Sequence, residues 1–123
     1  MSRQSILLVE DDLAARYIYG TMLRHHGFDV VEAVSARAAF ESLQQREFDL
    51  IVLDLGLPRV SGFEILSALR EDPRTADVPV IVATVHAFPE EEQRALDAGC
   101  SIFLKKPLSP YDLLDFVRAE LDR

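Results

Sequence analysis

Hydrophobic residues fall into short continuous runs separated by longer segments with helical periodicity. Four apolar runs have the length of strands, and each is followed closely by polar residues: Ile6–Val9, Leu50–Leu53, Val80–Ala83 and Ile102–Leu104. A weaker run around Val30 marks a further strand. Unbroken apolar runs of this length are typical of strands that are buried on both faces, as in a parallel sheet.

The segments between these runs carry the start and stop signals of helices. Ser35 suits a helix N-cap, and Pro89 suits the first position of a helix. Gly27 and Gly99 suit the residues that follow helix ends. Five successive strand–helix units predict a doubly wound α/β fold with a five-stranded parallel sheet and right-handed crossovers. Because no repeat or linker interrupts the pattern, we expect one domain over residues 1–123.

Composition and charge narrow the classes of partner. The chain has 123 residues, of which 49% are hydrophobic, and 13 basic against 21 acidic residues give a net charge of −8. An acidic surface disfavours binding to nucleic acid or to an anionic membrane. No apolar run approaches the roughly 20 residues of a membrane span. The single cysteine, Cys100, excludes an intrachain disulfide and suits a reducing, cytoplasmic environment.

Chemically active side chains follow the strong strands. Glu10 and Asp11 come after the first run, Asp54 after the second, Thr84 after the third and Lys106 close behind the fourth. In an open parallel sheet the carboxyl ends of the strands meet at one edge, where ligands bind. Clustered carboxylates are hard oxygen ligands that suit Mg²⁺. The opposing lysine can pair with a carboxylate or hold a phosphoryl oxygen.

Four motifs in this order resemble the receiver domain of two-component response regulators. They are Leu8–Asp12 (LVEDD), Val52–Pro58 (VLDLGLP), Val82–Thr84 (VAT) and Lys106–Pro107. Each motif is weak alone, but together they span almost the whole chain. The resemblance implies a flavodoxin-like strand order 2-1-3-4-5. Within this family the chain resembles a stand-alone, chemotaxis-type regulator. We therefore expect the chain to end with its last helix and to act on a separate protein.

The resemblance implies a magnesium-dependent phospho-acceptor site. Asp54 matches the aspartate that takes up the phosphoryl group as an acyl phosphate. Asp11 matches a direct Mg²⁺ ligand, Glu10 a ligand that acts mostly through water, and the backbone carbonyl of Gly56 a further ligand. Mn²⁺ is an alternative ion at such a site.

The resemblance also implies a conformational switch and its partners. Lys106 matches the lysine that binds the phosphoryl group. In this family the peptide bond between that lysine and the following proline, here Pro107, is cis. Thr84 matches the switch hydroxyl, and Phe103 stands where the family often has the switch tyrosine. A histidine kinase or phosphotransfer protein would be the donor. The surface of the fourth helix, fifth strand and fifth helix would bind a downstream protein.

Three positions depart from the usual pattern around the acceptor. The branched side chain of Val85 is expected to narrow access to Asp54. Gly56 has no side chain to keep water from the acyl phosphate, and we expect Val85 and His86 to offset this in part. These substitutions bear on how long the phosphoryl group survives.

The same residues bear on other classes of function. A phosphatase of the haloacid dehalogenase type needs the motif Asp-x-Asp, in which the second aspartate is the general acid. Gly56 stands in place of that second aspartate, so we expect no turnover of a separate substrate. A flavodoxin-like electron carrier would need a phosphate-binding loop rich in Ser, Thr and Gly after the first strand, and this sequence has none there. Two alternatives stay open: a docking module that is never phosphorylated, and the receiver portion of a longer regulator or hybrid kinase.

Overall fold

Five strands alternate with five helices in the computed structural model, which describes residues 3–123. The strands are β1 (Ser5–Val9), β2 (Asp29–Ala33), β3 (Leu50–Leu53), β4 (Val80–Thr84) and β5 (Ile102–Lys105). The helices are α1 (Leu13–His25), α2 (Ala36–Gln45), α3 (Gly62–Glu71), α4 (Pro89–Asp97) and α5 (Pro110–Leu121). None of the helices in this described range is long and apolar enough to cross a membrane.

The strands form one parallel sheet in the order β2-β1-β3-β4-β5. This confirms both the predicted fold class and the flavodoxin-like order. Val9 at the end of β1 pairs with Leu53 at the end of β3. The chain runs outward from β1 to β2 on one side and from β3 onward on the other. The carboxyl ends of β1 and β3 are therefore the switch point at which such sheets bind ligands.

Successive residues of the central strands supply two separate cores, one on each face of the sheet. Leu7 and Val9 of β1 pack with α2, α3 and α4, whereas Ile6 and Leu8 pack with α1 and α5. Because both faces are covered, these strands carry apolar residues at every position rather than at alternate ones. Both cores thereby hold the strand ends in fixed relative positions.

Helix ends follow the signals in the sequence. Asp12 caps α1 by accepting from the N–H of Ala15 at 2.8 Å, and Ser35 caps α2. Gly27 and Gly99 have φ angles of +94° and +106°, in the left-handed region that favours glycine. The cap predicted at Ser35 and the stops predicted at Gly27 and Gly99 are confirmed. Together with the cap at Asp12, Gly99 helps to place the β1–α1 and α4–β5 connections.

Candidate functional site

Three carboxylates meet where β1 and β3 end. Glu10 and Asp11 follow β1, and Asp54 follows β3. The backbone N–H of Asp54 donates to the carbonyl of Val9 at 3.1 Å. One carboxylate oxygen of each of the three residues lies within 4.8 Å of the others. Glu10 and Asp54 are 2% and 9% exposed, whereas Asp11 is open to solvent. The parallel pairing of β1 with β3 thus brings together residues 43 or more positions apart.

Lys106, which directly follows the edge strand β5, completes the charged cluster. Its ammonium contacts the carboxylate of Glu10 and lies 3.3 Å from Oδ2 of Asp54. Its backbone N–H donates to the carbonyl of Thr84 at 2.9 Å, and its peptide bond to Pro107 is cis. The preceding Lys105 is exposed. Of the two neighbouring lysines, the structure therefore directs the predicted one into the site.

Burial and close charges shift the ionisation of this cluster in different directions. Burial raises the pKa of Glu10, with a further contribution from the charge of Asp54, and the hydrogen bond from Lys106 only partly opposes it. Burial also acts to raise the pKa of Asp54, but the backbone N–H of Gly56 and the charge of Lys106 outweigh it and lower that pKa. Burial disfavours the charged ammonium, yet the hydrogen bond with Glu10 and the charge of Asp54 raise the pKa of Lys106. The result is an ionised Asp54 beside a firmly protonated lysine.

The backbone around Asp54 holds its carboxylate in place. The N–H of Gly56 donates to Oδ1 at 2.9 Å. Gly62, the first residue of α3, packs so closely that a Cβ atom there would lie 2.6 Å from the carbonyl oxygen of Asp54. The N–H of Gly62 also donates to the carbonyl of Leu55 at 3.1 Å. The start of α3 therefore supports the loop that carries Asp54, and a side chain at position 62 would force the two apart.

The predicted switch residues Thr84 and Phe103 are not among the residues that line the cleft, although the side chain of Thr84 helps to lower the pKa of Asp54. A cleft of about 330 Å³ is lined by Glu10, Asp11, Asp12, Ala15, Asp54, Gly56, Val85, His86 and Lys106. Thr84 is fully buried behind this cleft, and its Oγ1 accepts from the N–H of His86 at 3.1 Å. Phe103 packs against the core that the sheet forms with α2, α3 and α4. Val85 is 67% exposed at the rim.

Arg16 supports the cluster and was missed at the level of sequence. Its Nη1 donates to the carbonyls of Glu10 and Asp11 at 3.2 and 3.4 Å, and its Nε donates to Glu32 at 3.1 Å. Glu32 also accepts from Arg24 at 2.7 Å. The arginine thus fixes the backbone of two candidate metal ligands. The signal in the sequence was Glu32, a carboxylate between apolar neighbours inside β2, together with Arg16 and Arg24, which lie eight positions apart on α1.

The donor set suits a hard divalent cation. Carboxylates of Glu10, Asp11 and Asp54 lie close enough to share one ion, and the loop carrying the carbonyl of Gly56 borders the same cleft. Oxygen ligands with few carboxylates and room for water are what Mg²⁺ requires. The site therefore fits the ion that the sequence indicates.

Comparison with known proteins gives one family. Residues 6–118 match the family model of the response regulator receiver domain. The chain is 37% identical over 118 residues to the DNA-binding dual master transcriptional regulator RpaA of Synechocystis sp., which covers 96% of this chain and 49% of that protein. The chain spans about half the length of this and similar transcriptional regulators.

Solved structures agree in fold over nearly the whole chain. The chemotaxis response regulator CheY4 of Vibrio cholerae has a TM-score of 0.90 and 28% identity, covering 97% of this chain and 99% of its own. The receiver domain of the sensor histidine kinase PA1611 of Pseudomonas aeruginosa has a TM-score of 0.90 and 27% identity, covering 99% and 100%. That receiver domain was crystallised with a magnesium ion coordinated in its active site cleft.

Proposed function

The chain belongs to the response regulator receiver domain family, and we propose that Asp54 is the residue on which it accepts the phosphoryl group. Receiver domains of this family accept a phosphoryl group on an aspartate and bind Mg²⁺ at an acidic cluster. The observation that carries the assignment is the position of Asp54, whose ionised carboxylate lies between the N–H of Gly56 and the ammonium of Lys106. Residues 1–123 are proposed to form one receiver domain.

The side chains of the cleft divide the work of transfer. An oxygen of Asp54 forms a bond to phosphorus while the bond from phosphorus to the ring nitrogen of the donor protein's phosphohistidine breaks. The released imidazole of the donor takes up a proton. Lys106 balances negative charge on the phosphoryl oxygens as a point charge. Glu10, Asp11, Asp54 and the carbonyl of Gly56 would hold the cation. Bound Mg²⁺ supplies positive charge where the phosphoryl group arrives.

The proposed role is that of an acceptor with slow intrinsic dephosphorylation, not of an enzyme that turns over a separate substrate. The position two residues after Asp54 is Gly56, so no second aspartate is present there to act as a general acid. The donor is a histidine kinase or a phosphotransfer protein. Because such donors act inside the cell, we place the chain in the cytoplasm.

Phosphorylation is proposed to change a protein-binding surface formed by α4, β5 and α5. Exposed Leu96 of α4 and Tyr111 of α5 give this surface apolar side chains for a partner. Thr84 at the end of β4 pairs with Lys105 of β5, and Phe103 lies within β5, so a shift of Thr84 toward the phosphoryl group would reach that surface through β5. Thr84→Val removes the hydroxyl and keeps the shape. We expect it to weaken the change in backbone NMR signals of α4 and α5 caused by beryllofluoride, a phosphoryl mimic, whereas exposed Thr21→Val leaves it intact.

The acceptor role is tested by intact mass. The protein is incubated with acetyl phosphate, with and without Mg²⁺, as wild type, as Asp54→Asn and as the exposed control Asp115→Asn. We expect a Mg²⁺-dependent gain of one phosphoryl group in the wild type and the control and none in Asp54→Asn.

Other outcomes of that experiment contradict the proposal. An adduct that persists in Asp54→Asn would assign the acceptor role to another residue. No adduct in the wild type, with Mg²⁺ binding demonstrated by calorimetry, would favour the docking module. The acetyl phosphate assay needs no protein donor, so a missing kinase cannot produce either result.

A further inference from the structure

A buried tyrosine on α1 lies near the ammonium of Lys106 and is hydrogen-bonded to the segment that follows this lysine. Tyr19 is 6% exposed, and its hydroxyl donates to the carbonyl of Leu108 at 3.0 Å. The centroid of its ring lies 6.0 Å from Nζ of Lys106. Its neighbour Tyr17 is exposed on the same helix. Tyr19 therefore joins α1 to the loop between β5 and α5 beside the charged cluster.

The loop that carries Lys106 is held at both ends. On one side, the N–H of Lys106 donates to the carbonyl of Thr84 in β4. Pro107 has no N–H to donate. On the other side, the hydroxyl of Tyr19 donates to the carbonyl of Leu108, one residue before Ser109, which caps α5. The hydroxyl of Tyr19 and the sheet thus fix the short segment from which the lysine side chain extends.

The position of the ammonium matters because its two partners are close to each other and buried. Lys106 reaches Glu10 and Asp54 together, and its side chain is almost fully enclosed. Charges that are fixed before reaction stabilise a transition state without reorganisation, so a small displacement of a loop reduces their effect. We propose that Tyr19 is a positioning residue for phosphoryl transfer, whose hydroxyl holds the Lys106–Leu108 segment so that the ammonium lies beside Asp54. This inference rests on the proposed function of Asp54 and Lys106.

A role in packing alone makes a different prediction. Tyr19 also belongs to the core formed by α1, α5 and the sheet. Tyr19→Phe keeps the ring in that core and removes only the hydroxyl. If the ring acts only by packing, the variant should retain the placement of Lys106 and the rate of phosphorylation.

The first measurement does not need phosphorylation. The side-chain ammonium of Lys106 is buried and hydrogen-bonded, so its ¹H–¹⁵N NMR signal should be observable, and Lys106→Arg assigns it. We expect Tyr19→Phe to shift or broaden this signal and the exposed control Tyr17→Phe to leave it unchanged. An identical Lys106 signal in Tyr19→Phe would overturn the inference.

The second measurement separates rate from binding. The rate of phosphorylation is followed by intact mass against acetyl phosphate concentration. We expect Tyr19→Phe to lower the limiting rate by about twofold to tenfold, the range for loss of one hydrogen bond. The half-saturating acetyl phosphate concentration and the affinity for Mg²⁺ should stay at wild-type values, as should all three quantities in Tyr17→Phe.

A double-mutant cycle then tests whether the effect passes through the lysine. In a Lys106→Met background, Tyr19→Phe should cause no further loss, whereas independent effects would multiply. A multiplied loss, or a wild-type rate in the single variant, would contradict the inference. If the wild type accepts no phosphoryl group but Tyr19→Phe still moves the Lys106 signal, the proposed function fails while the placement of Lys106 by Tyr19 is supported.

Discussion

The imidazole of His86 fills the space that a side chain at position 56 would enter. A Cβ atom built on Gly56 would lie 2.6 Å from Nε2 of His86 and 3.6 Å from Oδ1 of Asp54. The histidine thus shares the rim of the cleft with the acceptor, and the absence of a side chain at Gly56 makes room for it. The expectation that His86 offsets the missing side chain has a geometric basis, whereas Val85 points largely to solvent.

We therefore predict that His86→Ala shortens the lifetime of phosphorylated Asp54 by a few-fold, because water gains the space that the ring occupies. Val85→Ala, its exposed neighbour, serves as the matched control and should have a smaller effect. The lifetime is measured by intact mass after the phosphodonor is removed. Equal lifetimes in the wild type and His86→Ala would show that the ring does not limit access of water.

As the pH decreases, the affinity for Mg²⁺ should begin to fall at a higher pH than it would if Glu10 had the pKa of an ordinary glutamate. Burial raises the pKa of Glu10, so as the pH decreases this carboxylate takes up its proton before an exposed glutamate does. Protonation removes negative charge from the cluster and weakens binding of the cation. Calorimetric titration from about pH 7 to about pH 5 should show this loss. Glu10→Gln, which cannot ionise, should bind Mg²⁺ more weakly at neutral pH and with a shallower pH dependence.

Removal of Arg16 should weaken Mg²⁺ binding without touching a ligand. Its guanidinium holds the carbonyls of Glu10 and Asp11, and loss of such outer contacts typically reduces metal affinity about tenfold or more. Arg16→Lys should recover only part of the affinity, because an ammonium lacks the fork of a guanidinium. The control is Arg37→Ala, which breaks an exposed pair with Glu41 and should bind Mg²⁺ normally. Wild-type affinity in Arg16→Ala would remove this residue from the site.

Arg70 should matter for stability rather than for phosphorylation. Its guanidinium donates to the carbonyls of Thr75, Ala76, Val78 and Gly99, and so joins α3 to the loops before β4 and β5. Arg70→Ala leaves these carbonyls without their charged donor, and we expect a loss of about 2 to 4 kcal/mol in the free energy of unfolding. Urea denaturation measures this loss.

The matched control for that experiment is Arg74→Ala. Arg74 donates from its side chain to a single carbonyl, that of Leu43, in an exposed position. Its loss should cost less than about 1 kcal/mol. Both variants should still accept a phosphoryl group at low temperature, where they remain folded. Equal destabilisation by the two substitutions would contradict the structural role given to Arg70.

Much of the fold and part of the candidate site could be predicted from local patterns. An apolar run such as Leu50–Leu53 reports burial on both faces, and caps such as Ser35 report helix starts, because both depend on neighbouring residues alone. Alternation of strands and helices then predicts a parallel sheet, whose geometry places Glu10 and Asp54 at one edge. The order of the strands came from resemblance to a family.

Only the tertiary structure decided how side chains from distant elements meet. Arg16 and Tyr19 lie on α1 with no local sign of what they contact, since their partners are carbonyls and a carboxylate brought to them by packing. The entry of His86 into the space beside Gly56 likewise depends on how the loops after β3 and β4 approach each other. Sequence periodicity specifies which face of an element is buried, but hydrogen bonds over long separations depend on the rotation and distance of packed elements. The sequence alone therefore determined the class of fold and the candidate charged residues, and packing determined what holds those residues in position.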